Sequence, residues 1–379
     1  MRGAETAIAF AQLLIGGGIG FVMHRADFCF AGTFRDLFLL QRRTMIRALL
    51  LLVVALTGLQ AFGYLLGLFA YPFPLFGPPS LANLLGGIMF GVGMVLAGGC
   101  VVGTLYRLGA GSFLAMVTVA GLVGGSLIYA EVDRWWAKAV VALKLDVGAI
   151  TLAQLLPVAP WVVAGGAILL LAPLLVAWGR NGSMSVAHGP EGYIQPWLAA
   201  LLLAGLIFLS TLAAGLPPGV TTTYTKMGGY LLQAVSSPHL AAIPFFQREP
   251  LNFTHALSGL AIVGGAGPRL DGIALVQFPL MVGIVAGGSV SAWRLGEFRF
   301  YLRAPQRQVV SALVGGTVMG FASRIAPGCN IWHIAGGLPI LSLQSILFVV
   351  GLFSGAWLGT RLLLGLVLRP DRSSQAGKE

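Results

Sequence analysis

The sequence predicts an all-α integral membrane protein: about nine transmembrane helices plus short broken or re-entrant helices, arranged as two pseudo-symmetric halves. Three observations carry this expectation. With 57% hydrophobic and 9% charged residues, the chain lacks the polar surface that a soluble fold of its size needs. Its apolar runs are long and continuous, which excludes a barrel built from alternating strands of about ten residues. Its three cysteines share a frame, each nine positions after a glycine: Gly20 to Cys29, Gly91 to Cys100 and Gly320 to Cys329.

A helix crossing about 30 Å of hydrocarbon at roughly 1.5 Å per residue needs about 20 apolar residues. Such windows fall near 7–24, 45–70, 81–97, 110–130, 158–178, 195–213, 273–290, 308–324 and 341–367. The first carries Glu5 beside Arg2 and shows no small-x-small cleavage site, so it reads as a retained span. Arg35, Arg42, Arg43 and Arg47 follow it, and Arg294, Arg299, Arg303 and Arg307 precede the eighth, which assigns both loops to the cytoplasmic side. Glu131, Asp133 and Asp146 balance Arg134, Lys138 and Lys144, and the 71–80 turn is uncharged, so these segments fit the outer face. The N-terminus is then outside and the C-terminus inside, with 369–379 a short polar cytoplasmic tail. The formal charge of +11 is dispersed over short loops rather than gathered into a basic stripe with aromatics, which argues against a nucleic-acid partner.

Fifty-four glycines, with clusters such as Gly16-Gly17-Gly18, Gly86-Gly87, Gly124-Gly125 and Gly264-Gly265, imply close helix approach. Packing does not account for Gly98-Gly99-Cys100, Leu216-Pro217-Pro218-Gly219 and Pro327-Gly328-Cys329, each of which ends an apolar run and precedes a shorter one. These read as broken helices, tolerated at membrane depth only where the backbone is buried in protein or lines a cavity. Gly86, Gly91, Gly99 and Cys100 also match the register of Gly315, Gly320, Gly328 and Cys329, an internal repeat. The expected halves are 1–150, with breaks at Cys29 and Cys100, and 151–368, with breaks at Gly219 and Cys329. The third and eighth spans run in opposite directions in this topology, so the halves are expected to be inverted.

No Cys-x-x-Cys is present, so a membrane thiol–disulfide oxidoreductase would lack its usual local pair. A structural metal site would want four ligands, and nothing in the spacing joins His24 or His333 to the three cysteines. His188, His239 and His255 show no ligand spacing either, so no metal and no cofactor are expected. Each cysteine stands at the head of a short helix, where free N–H groups and the helix dipole attract anions. A protonated thiol there donates a weak S–H hydrogen bond, whereas a thiolate would repel the ligand. Cys29, Cys100 and Cys329 are therefore candidate stations on a path for a sulfur-containing anion, with Gly99 and Gly328 shaping the breaks and Asn330 beside the third. Arg25, Arg107, Arg324 and Lys226 are candidates for electropositive mouths, and equally for snorkelling side chains. Thr33, Thr104, Thr221 and Thr222 read as helix caps that can double as ligand donors.

Arg25-Ala26-Asp27-Phe28-Cys29-Phe30-Ala31-Gly32, Leu96-Ala97-Gly98-Gly99-Cys100-Val101-Val102-Gly103-Thr104 and Arg324-Ile325-Ala326-Pro327-Gly328-Cys329-Asn330-Ile331 resemble the YeeE/YedE membrane proteins, the sulfur transport family. The resemblance covers essentially the whole chain and implies an hourglass-like transporter of the bacterial inner membrane. It also implies that thiosulfate or a related anion is handed along Cys29, Cys100 and Cys329 by transient S–H contacts, Cys100 being the most central. Relatives often carry a tryptophan before the glycine of the break that here reads Pro217-Pro218-Gly219. Some work with a small sulfurtransferase, which for this chain would be a separate cytoplasmic partner. The expected function is transport rather than catalysis. The rivals are a selenium-compound transporter of the same family, a thiol–disulfide oxidoreductase, and a membrane anchor for a sulfurtransferase.

Overall fold

The computed structural model describes residues 2–186, 191–300 and 303–366; the expected tail 369–379 and His188 lie outside them. The chain opens with α1 (Arg2–Arg25), a short α2 (Phe30–Leu39) and α3 (Thr44–Leu65), followed by α4 (Leu81–Leu96) and a short α5 (Val101–Gly109). Next come α6 (Phe113–Leu143), the single turn α7 (Leu152–Leu155), α8 (Pro160–Arg180), α9 (Pro196–Ala214) and α10 (Thr221–Val235). Two short helices, α11 (Ser237–Ala242) and α12 (Pro244–Gln247), lead to β1 (Leu251–Thr254) and β2 (Ala261–Gly264). The chain ends with α13 (Gly272–Arg294), α14 (Gln306–Ile325), a π-helical turn (Ile331–Gly337) and α15 (Leu343–Leu366).

Among the described residues nine helical stretches are long and apolar enough to cross a bilayer, in the nine places where hydropathy puts them. The protein is a multi-pass membrane protein. Two details differ from the sequence reading. The fourth span does not stop near residue 130: α6 runs on to Leu143, carrying Asp133 in a buried position where Arg248 meets its carboxylate at 2.8 Å. Strands β1 and β2 form an antiparallel hairpin, Leu251 opposite Gly264, whose Leu251 and Ile262 are buried; a four-residue strand leaves little periodicity to read.

Glycine sets the helix packing. On α1, Gly16 and Gly20 press on the backbone of α13, whose Gly283 and Gly287 press back on α1. Gly87 and Gly91 of α4 do the same with Gly351 and Gly355 of α15, and Gly121 and Gly125 of α6 with Gly316 and Gly320 of α14. Every one of these pairs is spaced i, i+4, which keeps both glycines on one helix face and lets the backbones touch. The glycines that define the cysteine frame, Gly20, Gly91 and Gly320, thus hold three helix pairs together. Each pair joins a helix from before residue 150 to one from after it, so the two stretches interleave in one core.

Candidate functional site

Four helix breaks converge on the interior, and each contains one residue in the left-handed region: Asp27 (φ 43°), Gly98 (φ 71°), Gly215 (φ 72°) and Gly328 (φ 131°). A left-handed residue reverses the chain after a helix end, so the next short helix starts inside the protein. Cys29 is the N-cap of α2, Cys100 the N-cap of α5 and Val220 the N-cap of α10, while Cys329 immediately precedes the N-cap Asn330 of the π-helical turn. The three cysteine carbonyls play one role: they accept from Thr33 N at 2.8 Å, Thr104 N at 2.7 Å and His333 N at 3.0 Å. Three helix heads are thus each led by a thiol, two of them α-helical with the cysteine as N-cap and the third π-helical with the cysteine one residue earlier.

At the centre Cys29 and Cys100 touch, Sγ to Sγ at 3.9 Å, with neither exposed to solvent. Cys100 Sγ also accepts the Gly103 N–H at 3.2 Å, which leaves its own S–H to donate. Gly103 is required here, since an added Cβ would stand 2.5 Å from Cys29 Sγ and 3.2 Å from Cys100 Sγ. Cys329 makes no sulfur contact with this pair, and Tyr224, fully buried on α10, lies near both Cys100 and Cys329. On α10 and on the helix head that follows Cys329, four buried polar atoms have no protein partner: Tyr224 Oη on the first, and Asn330 Nδ2, Trp332 Nε1 and His333 Nε2 on the second. His333 Nδ1 meets Ser345 Oγ at 3.0 Å, so Nε2 can carry the ring proton and join three other donors. An unpaired buried donor costs about 1–3 kcal/mol, and four such groups suit an interior that passes an anion.

A cavity of about 390 Å³ opens at one mouth, lined by Gly219, Thr221, Thr222, Gln277, Arg324, Gly328 and Trp332 among others. Arg324 donates to Thr221 Oγ1 at 2.5 Å and to Thr222 Oγ1 at 3.4 Å, which aims its guanidinium across the head of α10. Arg248, bound to Asp133, lies on the same wall. On another side of the thiols, Asp27 Oδ1 lies 3.6 Å from the Arg107 guanidinium and accepts the Tyr106 hydroxyl at 3.2 Å, a cluster partly open to solvent at Arg107 and Asp27. Helices α4 and α14 are antiparallel, Ser311 in the second turn of α14 donating to Leu96 O at the end of α4, while Ala326 beyond α14 meets Gly86. Arg324 therefore lies toward the start of α4, and Arg107, in the last turn of α5, lies beyond its end.

The remaining candidates sort by their partners. Thr33 Oγ1 turns back to Cys29 O at 3.0 Å, and Thr104 is buried against Gly99, so both brace their own helices. Arg25 donates to Gly192 O at 2.7 Å and stacks on Phe21, tying down the 191–195 segment rather than joining the thiols. In the same segment Tyr193 donates to both Glu297 oxygens at 2.9 and 3.0 Å. Burial and that carboxylate push its phenol up to about 12. Lys226, grouped with the electropositive candidates, is fully consumed elsewhere: Nζ donates to Gly267 O, Arg269 O and Asp271 Oδ2, clamping the segment after the hairpin. Sequence reasoning did not single out Tyr224, Trp332 or Gly103, and left His333 unassigned. Only their positions, next to a break motif or inside one, could have drawn attention to them.

Nine spanning stretches among the described residues, four interrupted helices and buried thiols at three of the interruptions define a multi-pass membrane protein of the permease kind. The model of the Sulphur transport family matches residues 25–358, and the chain belongs to that family. It is similar to the thiosulfate transporter TsuA of Spirochaeta thermophila, 29% identical over 91% of this chain and 97% of that protein. It is similar also to the thiosulfate transporter TsuA of Escherichia coli, 28% identical over 97% of each chain. The probable transporter YedE of Escherichia coli shares 30% identity over 45% of this chain and 39% of its own length.

Proposed function

We propose that this protein imports thiosulfate, or a related small sulfur-containing anion, across the bacterial cytoplasmic membrane. The ligand is captured at Arg324, Thr221 and Thr222, passes Cys329, Cys100 and Cys29, and leaves at Arg107. The observation that carries the reading is the interior itself: three buried thiols at helix heads, two of them in contact at 3.9 Å, with unpartnered buried donors on α10 and on the helix head that follows Cys329. S–H, N–H and O–H groups all donate, and an anion with sulfur and oxygen atoms accepts from each. The direction follows from the arginine-rich loops at 35–47 and 294–307, read as cytoplasmic, and the two halves 1–150 and 151–368 are read as an inverted repeat. The names of the similar proteins support the substrate. A separate cytoplasmic sulfurtransferase would consume the imported anion and keep the gradient inward.

The oxidoreductase rival gains little from the thiol contact, because Cys29 and Cys100 are both fully buried and no second dithiol can reach their sulfurs. The test is thiosulfate uptake by a strain without its own importers, comparing the intact protein with Cys100→Ala at matched membrane abundance. Uptake by the intact protein that disappears in the variant is the expected result. Uptake unchanged by the substitution removes the thiol path while transport stands, and no uptake by the intact protein overturns the substrate.

A further inference from the structure

Three of the four breaks turn on glycine, and the fourth turns on Asp27, at a φ of 43° that L-residues rarely adopt. Asp27 stands two residues before Cys29, as Gly98 stands two before Cys100, so a carboxylate occupies a position whose backbone favours glycine. Aspartate and asparagine are the side chains that visit this region most readily, and here the carboxylate is also engaged by two residues of α5. Its Oδ1 lies 3.6 Å from the Arg107 guanidinium and accepts the Tyr106 hydroxyl at 3.2 Å. Arg107 in turn donates to the Gly98 carbonyl, in the loop that ends at Cys100, and lies within electrostatic reach of Cys29.

The opposite mouth is built differently. Arg324 is held by three neutral hydroxyls, those of Thr221, Thr222 and Ser323, with no carboxylate within 4 Å among the described residues. Its charge is uncompensated and suits capture. An anion that reaches Arg107 meets a guanidinium already shared with a carboxylate on the same chain, and a tethered competitor acts at high effective concentration.

We propose that Asp27 is a positioning residue for release: an internal counter-anion that holds Arg107 when the path is empty and displaces the transported anion from it. The proposal rests on the transport reading above. The exchange swaps one anion for another at a guanidinium, with no bond made or broken and no proton moved. Without the carboxylate the ligand stays longer on Arg107, so apparent binding tightens while turnover slows.

The experiment is the concentration dependence of radiolabelled thiosulfate uptake into proteoliposomes holding the full chain, Asp27→Asn or Asp27→Gly at matched protein density. Asparagine and glycine both suit a left-handed backbone, so the shape of the break is kept. KM and Vmax are expected to fall together in both variants, each by about three- to fivefold, the size of an exposed ion-pair contribution. Any other pattern in a transporting protein, whether unchanged parameters, a fall in Vmax alone or a rise in KM, overturns the role of Asp27 and leaves transport standing. No saturable uptake by the unmodified protein overturns the transport reading itself.

Discussion

A thiol path works only if neighbouring sulfurs lie close enough to share a ligand, and at residue scale one hydrogen atom sets that spacing. Gly103 sits where any Cβ would push into Cys29 Sγ and crowd Cys100 Sγ. Gly103→Ala is expected to part the thiols and lower uptake by about tenfold, since overpacking by one methyl costs roughly 1–3 kcal/mol. The control is Gly124→Ala, a position with nothing within 4 Å, which should transport like the unmodified protein. Equal uptake by the two variants would show that the Cys29–Cys100 contact is incidental. Lys226 teaches the complementary lesson: a buried cation near a break need not serve a ligand, because backbone carbonyls and Asp271 absorb all its donors.

Helices in a bilayer gain little from hiding apolar surface, because lipid is as apolar as leucine, so their association depends on backbone approach. The reciprocal glycine pairs of α1 with α13, α4 with α15 and α6 with α14 supply that approach. They also fix where the short helices begin, since the packed helices carry the breaks at their ends. Gly125→Leu, which would drive a side chain into the Thr317 carbonyl, is expected to destabilise the protein by roughly 2 kcal/mol or more. Gly165→Leu on α8, where nothing lies within 4 Å, is expected to be neutral. Thermal unfolding in detergent compares them; a smaller loss for Gly125→Leu would mean that α6 and α14 tolerate separation.

At the scale of the whole molecule the two mouths are unlike: an uncompensated Arg324 on one side, an Arg107 shared with Asp27 on the other. The direction of import depends on which mouth faces outward. Gln41 and Val147 are exposed, and the proposed orientation places Gln41 on the cytoplasmic side and Val147 on the outer side. An impermeant maleimide is expected to label Val147→Cys in intact cells and Gln41→Cys only after permeabilisation, the native thiols being buried. The reverse pattern would exchange capture and release.

Hydropathy alone located all nine spans, because transfer from water to lipid is a property of each short window of sequence. The cysteine frame also located the three thiol-bearing breaks, since glycine and proline act on the backbone locally. The end of α6 was misplaced because the charge of Asp133 is sheltered by Arg248, more than a hundred residues away. The contact of Cys29 with Cys100, the unpartnered donors of Tyr224 and His333, and the pairing of Asp27 with Arg107 were invisible for the same reason. Sequence determined which segments enter the bilayer and where each chain path breaks. Only the tertiary structure decided which broken ends meet, because helix packing between segments distant in sequence sets that geometry and no local pattern encodes it.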